Sequence, residues 1–300
     1  MTQKRAAAIH DISCFGKCSL TVALPIISAA GIETAVIPTA VLSTHTGGFK
    51  DYTFRDLSED IVPIARHWNS ENITVDAVYS GYLCSKHQIY LVMEAARLIS
   101  REDTLFICDP VMGDNGKLYS GFDKDFPKYM LNLCAAADII TPNITEAALI
   151  LGIDYKEPPY TEDYINILLE GLYLKTHSSI VLTGVCFDDR KIGAAVYDGE
   201  NKDYVFSDKL NASYHGTGDI FASAFTAALL NDRSLKSAAQ IAANFTYACI
   251  KKTMESGTDM RNGVNFESQI PNLIKYLELY MKEEYLRSAA LIGEENLNKL

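Results

Sequence analysis

The chain has 300 residues, 48% of them hydrophobic and 22% charged, enough to bury a sizeable core in one large α/β domain or two small ones, which excludes disorder as the overall state. Its 38 acidic residues outnumber 27 Lys and Arg, a formal net charge of -11. That balance argues against a nucleic-acid partner, whose phosphates are bound by clustered Lys and Arg, and no stretch is long and apolar enough to suggest a membrane partner.

The opening MTQKRAAAIHDIS has two basic residues but no apolar core of signal-peptide length. Seven cysteines, at 14, 18, 84, 108, 134, 186 and 249, are odd in number and scattered, as free thiols are in a reducing compartment. Both features point to a cytoplasmic protein. Cys14 and Cys18 near His10 lack the second Cys/His pair of a zinc site.

Along the chain, short apolar runs at 6–12, 33–41, 75–79, 104–108, 137–141 and 179–183 read as buried parallel strands. Helical periodicity falls between them at 18–30, 55–69, 85–100, 122–135, 143–151 and 161–175. Residues 191–198 and 202–207, joined by Asp198-Gly199-Glu200-Asn201, read as an antiparallel edge hairpin. Helices resume at 217–231, 234–254 and 267–285. The expected class is α/β, a mostly parallel central sheet with helices on both faces and a small antiparallel hairpin at its edge. Without repeats or Pro/Gly/Ser linkers, residues 1–285 read as a single domain and 286–300 as a polar tail.

Ligands of such sheets bind beyond the carboxyl ends of the strands. Polar residues and glycines gather there: Asp11 and Ser13, His45 and Thr46, Gly81-Tyr82, Asp109 to Asp114, Asn143 to Glu146, and Gly184. Each has a plain reading. Asp109-Pro110 can start a turn with Gly113 at positive φ, Asn143 and Glu146 can form a capping box, and His45 can be a satisfied packing residue. Gln at 146 would keep the cap bond and lose the charge, so it should separate a capping role from a metal role. Lys17 lacks the glycine and Ser/Thr of a P-loop.

The stretch SYHGTGDIFASAF sets Gly216, Thr217, Gly218 and Asp219 where an apolar helix begins, so backbone N–H groups can meet an anion. Phe221 in place of a third glycine rules out a dinucleotide fingerprint. With Asp109, Asp114 and Glu146 as cation ligands, and Asp219 beside the cradle, the parts are those of phosphoryl transfer to a hydroxyl.

The segments LSTHTGGF, SGYLCS, CDPVMGDNGKLY, ADIITPNITEAALILG, VLTG and HGTGDIFASAF together resemble the vitamin B6 kinases of the ribokinase-like superfamily, with hydroxymethylpyrimidine kinase as close kin. The resemblance implies a ribokinase-like fold and transfer of the γ-phosphoryl of ATP to the hydroxymethyl group of a B6 vitamer. It implies Asp219 as base and the amides of Gly216, Thr217 and Gly218 as anion hole. Asn143, Thr183, Gly184 and Thr217 would meet the nucleotide. Asp11, Ser13, Thr46, Tyr82 and Asp219 would meet the vitamer. Asp109, Asp114 and Glu146 would organise Mg²⁺, with room for a monovalent cation such as K⁺. A homodimer is the default assembly. His10-Asp11-Ile12-Ser13 stands where many relatives carry Ser or Gln-Ser, which sets a carboxylate against the ring and favours an amine vitamer. A hydroxymethylpyrimidine kinase, and a pyridine or nucleotide sensor without turnover, are the alternatives. An unpaired carboxylate beside an anion site argues against the sensor.

Overall fold

The computed structural model describes residues 3–212 and 214–282. Its main sheet has nine strands: β1 (Arg5–Ser13), β2 (Glu33–Leu42), β3 (Phe54–Asp56), β4 (Ala77–Ser80), β5 (Leu105–Cys108), β8 (Ile139–Ile140), β9 (Ser179–Val185), β10 (Lys191–Tyr197) and β11 (Lys202–Asp208). A second, two-stranded sheet pairs β6 (Gly113–Asp114) with β7 (Lys117–Leu118). The spatial order of the large sheet is β11-β10-β9-β8-β5-β4-β1-β2-β3. The six strands from β9 to β2 pair in parallel, whereas β3, β10 and β11 are antiparallel additions at the edges.

Period-two alternation divides the core. Ala7 and Ile9, Val78, Phe106 and Cys108, and Ile180 and Leu182 face one layer. Ala6 and Ala8, Ala77 and Tyr79, Ile107, and Val181 face the other. The first layer is closed by α2 (Ser58–Ser70), α3 (Lys86–Ile99), α4 (Phe126–Ala135), α5 (Ile144–Leu151) and α6 (Glu162–Thr176). The second is closed by α1 (Leu20–Ala29), α7 (Thr217–Leu230), α8 (Leu235–Glu255) and a final helix, α9, over 270–282. Strands buried on both faces explain why these runs are continuously apolar in sequence.

Several element bounds and one backbone conformation need correction, including the helix expected from 122, which starts only at Phe126. The helix expected from 55 starts only at Ser58, because the Asp56 carboxylate accepts from Ser58 N–H at 2.8 Å and Phe54–Asp56 instead pairs with β2. The segment 113–118, given no element from sequence, is a hairpin turning on Asn115 (φ 51) and Gly116 (φ 73). Gly113 does not sit at positive φ; it is needed for space, since a Cβ there would lie 2.6 Å from the Lys117 carbonyl oxygen. The helix expected over 267–285 begins as a 3₁₀ turn, Glu267–Gln269, before α9. The tail reading of 286–300 lies outside the described residues. Among the described residues no helix is long and apolar enough to cross a membrane.

Candidate active site

The site gathers at the carboxyl ends of β1, β4, β5, β8 and β9, facing the N-terminus of α7. Gly216 is the N-cap of α7, at φ 81, and no side chain caps the helix. The first intrahelical bond runs from Ile220 N–H to the Gly216 carbonyl at 3.1 Å, so the N–H groups of the preceding turn are left to a ligand. Partial positive charge and free donors coincide there, as an anion requires.

The two glycines serve different needs. A Cβ at Gly216 would lie 2.3 Å from the Lys17 carbonyl oxygen, so the loop before α1 closes directly over this position. A Cβ at Gly218 would meet nothing within 4 Å. Thr217 Oγ1 donates to the Tyr214 carbonyl at 2.8 Å, which commits its hydroxyl proton and leaves its amide for a phosphate.

Asp219, in the first turn of α7, is half-buried. Desolvation pushes its carboxyl up to about 7, with the negative field of Asp11 adding to the rise and the backbone of Ser19 opposing it. A carboxylate poised near neutrality suits a general base. Ser19 was not singled out from sequence; as N-cap of α1, at φ 52 and ψ -126, it faces both Asp11 and Asp219. A Ser before an apolar run signals a helix start, but only the fold reveals that α1 and α7 begin side by side.

Around Asp219 the expected substrate residues divide. Asp11 and Ser13 are buried, and Ser13 Oγ donates to Asp11 Oδ2 at 2.9 Å. Ser13 thus supports Asp11. Tyr82 is half-buried, its ring 5.8 Å from that of Phe122, and together they offer an aromatic wall. Thr46 is exposed on the loop after β2. His45 is the packing residue expected: its Nδ1 accepts from Gly47 N–H at 3.0 Å, and Nε2 donates to the Arg261 carbonyl at 2.7 Å. Both nitrogens are spent, and burial lowers its pKa. Lys17 points away from the cradle, its Nζ 2.9 Å from Asn265 Oδ1 and 3.0 Å from Glu267.

On the opposite side, Asn143 Oδ1 accepts from Glu146 N–H at 2.9 Å, and Asn143 Nδ2 donates to the Gly113 carbonyl at 2.9 Å. One amide N–H of Asn143 is therefore left for a nucleotide. Thr183 pairs beside Asn143 in a parallel bridge, and Gly184, at φ 79, opens onto unfilled space.

The Glu146 carboxylate completes the capping box by accepting from Asn143 N–H at 2.8 Å, and its other oxygen accepts from Met112 N–H at 3.1 Å. Gln can keep the cap bond from Asn143 N–H, as expected, but not the bond from Met112 N–H as well. Gln has one acceptor oxygen, so its NH₂ would confront a backbone N–H at one of the two positions, and stability should suffer with any metal function.

Asp109 and Glu146 are 6% and 3% exposed. Burial raises both, Glu146 to about 8, and the charge of Glu146 adds to the rise at Asp109. Asp114, exposed on β6, lies near enough to raise Glu146 further. Among the described residues no three His, Cys, Asp or Glu form a metal cage. Buried acids raised in this way fit a cation shared with phosphates or bound through water, the usual Mg²⁺ arrangement. Because the Glu146 pKa rises from 4.5 to about 8 on folding, its contribution to stability is present below 4.5 and lost as pH climbs to about 8. A cation offsets that loss. Mg²⁺ is expected to raise Tm more at about pH 8 than at about pH 5.5 in thermal melts; an equal shift at both would refute the cation fit.

The sequence matches the phosphomethylpyrimidine kinase family over residues 23–264. A Bacteroides thetaiotaomicron protein crystallised with pyridoxal is 36% identical, superimposes with a TM-score of 0.85, and covers 91% of this chain and 96% of its own. Pyridoxal kinase from Lactobacillus plantarum is 30% identical, with a TM-score of 0.84 over 93% of this chain and 99% of that one. The curated pyridoxine kinase of Bacillus subtilis is 30% identical over 189 residues, 61% of this chain and 67% of its own length.

Proposed function

Since the chain belongs to the phosphomethylpyrimidine kinase family, within the ribokinase-like vitamin B6 kinases, we infer that it transfers the γ-phosphoryl of ATP to the 5′-hydroxymethyl group of a B6 vitamer. The observation that carries this reading is Asp219, pushed up to about 7, in the first turn of the uncapped α7. The vitamer hydroxyl gives its proton to Asp219 as its oxygen attacks the γ-phosphorus, and the bond from that phosphorus to the β,γ-bridging oxygen breaks to release ADP. Charge developing on the γ-oxygens is met by the amides of 216–218, which are aimed before the reaction and need no reorganisation. Tyr82 and Phe122 hold the ring, while Asn143, Thr183 and Gly184 flank the nucleotide. Asp109, Asp114 and Glu146 would hold Mg²⁺, which would neutralise phosphate charge.

The nine-stranded sheet with its two core layers supports one catalytic domain. All seven cysteines are free thiols, which supports a cytoplasmic enzyme. A homodimer and a monovalent cation near Asp109 complete the reading, testable by light scattering and by K⁺ titration of the rate.

The family's own description supports a second reading, a kinase of hydroxymethylpyrimidine. Coupled assays of ATP consumption with pyridoxal, pyridoxine, pyridoxamine and hydroxymethylpyrimidine separate the two. A B6 vitamer is expected to show the highest kcat/KM. Preference for hydroxymethylpyrimidine over every vitamer would overturn the assignment, and binding without turnover would revive the sensor.

A further inference from the structure

Asp11, near the carboxyl end of β1, is 3% exposed, and its Oδ1 is buried with no partner in good hydrogen-bond geometry, although the Ser19 hydroxyl is near enough to favour its charge. Its other oxygen accepts from Ser13 Oγ at 2.9 Å. The influences on its ionisation are burial and neighbouring hydroxyls, with no cation among them. The groups that face it are hydroxyls, thiols and another acid. Ser13 lies on its own strand, and Cys18 and Ser19 lie at the head of α1. Tyr82 and Cys84 face it from the loop after β4, and Asp219 from α7. A buried carboxylate with a free acceptor is costly unless something positive meets it. This one lies within electrostatic reach of both Asp219, the base, and Tyr82 of the aromatic wall.

We propose that Asp11 binds a positively charged nitrogen of the substrate, the protonated aminomethyl group of pyridoxamine, and so makes the enzyme selective for the amine vitamer. The proposal rests on the B6 reading above. An alkylamine carries its charge at neutral pH, as Lys does, whereas the aldehyde of pyridoxal and the hydroxymethyl of pyridoxine bring none. The aldehyde cannot donate to the carboxylate and leaves it buried and unpaired, whereas the hydroxymethyl can donate but only a neutral hydrogen bond, weaker than the charge-assisted bond from the ammonium. Selectivity therefore comes from what Asp11 loses with the wrong vitamer as well as from what it gains with the right one. A cation seated on Asp11 also cancels a negative field that Asp219 otherwise feels. Binding the amine thus favours the ionised base.

The test is steady-state kinetics with the three vitamers and hydroxymethylpyrimidine on wild type, Asp11→Asn and Asp11→Ser. In wild type, kcat/KM for pyridoxamine should exceed that for pyridoxine by roughly 10- to 100-fold, the range for a hydrogen bond to a charged group. In both variants the ratio should collapse toward one, chiefly through KM for the amine. A wild-type ratio of one or below, which needs no variant to fold, overturns the proposal. So does a preference that survives both substitutions. If hydroxymethylpyrimidine beats every vitamer in wild type, the B6 reading itself has failed; if the vitamers lead without preference for the amine, only the role of Asp11 has.

Discussion

Replacing Asp219 with Asn should lower kcat by roughly 10² to 10⁴, the range for a lost general base, while ATP still binds. The carboxyl rises from 3.8 to about 7 on folding, so wild-type kcat/KM should fall about tenfold per pH unit below about 7. Asn removes that acid limb along with the rate. The stability consequence has the opposite sign. A raised carboxyl contributes stability that is present below 3.8 and lost as pH climbs to about 7. Asn carries no such pH-dependent loss, so its Tm at about pH 8 should equal or exceed that of wild type. Pre-steady-state phosphoryl transfer, with thermal melts on the same preparations, checks both. A variant with near-normal kcat would rule out the base.

Ala at Gly218 and Ala at Gly216 should move stability in opposite directions. Gly218 lies inside α7 at ordinary helical angles, and a Cβ there meets no protein atom within 4 Å. Ala should therefore stabilise the helix by about 0.5–1 kcal/mol. The same methyl stands at the anion cradle, so kcat/KM should drop by about 10²- to 10³-fold, as when a donor to developing charge is disturbed. Gly216 is at φ 81 with a Cβ position 2.3 Å from the Lys17 carbonyl oxygen. Ala there strains the backbone and pushes the loop before α1 away, at a cost of about 1–3 kcal/mol. Melting curves and initial rates distinguish the pair. If Gly218→Ala keeps full activity, the glycine serves only the turn.

The strands buried on both faces were legible because their apolar runs are continuous, and the edge hairpin because Asp198 to Asn201 marks its turn. The strand expected over 137–141 shrinks to Ile139–Ile140: the Asp138 carboxylate accepts from Phe106 N–H at 2.7 Å, and Pro142 follows closely. Asn115-Gly116 was a strong hairpin signal, but its strands are only two residues long and carry no periodicity. The gathering of site residues at one rim followed from sheet topology. Which of them are spent was legible only in part: the spacing of Asn143 and Glu146 allowed a capping box and His45 could be a packing residue, and both readings hold. The bond of Thr217 to the Tyr214 carbonyl and that of Met112 N–H to the second Glu146 oxygen needed the fold, and Ser19 gains its importance only from the neighbouring helix.

The His45 ring joins the loop after β2 to the Arg261 carbonyl, 216 residues later, and Lys17 reaches Asn265 across 248. Asp219, too, waits more than 200 residues behind Asp11 in order of synthesis. A growing chain can pair β1 with β2 and β4 early, yet its substrate pocket stays unstitched until the residues around 261–265 leave the ribosome. Contacts of such sequence separation form late. Kinase activity should therefore arrive all at once when residues 261–265 have emerged, and nascent chains arrested before residue 261 should be silent however much of the sheet they have built.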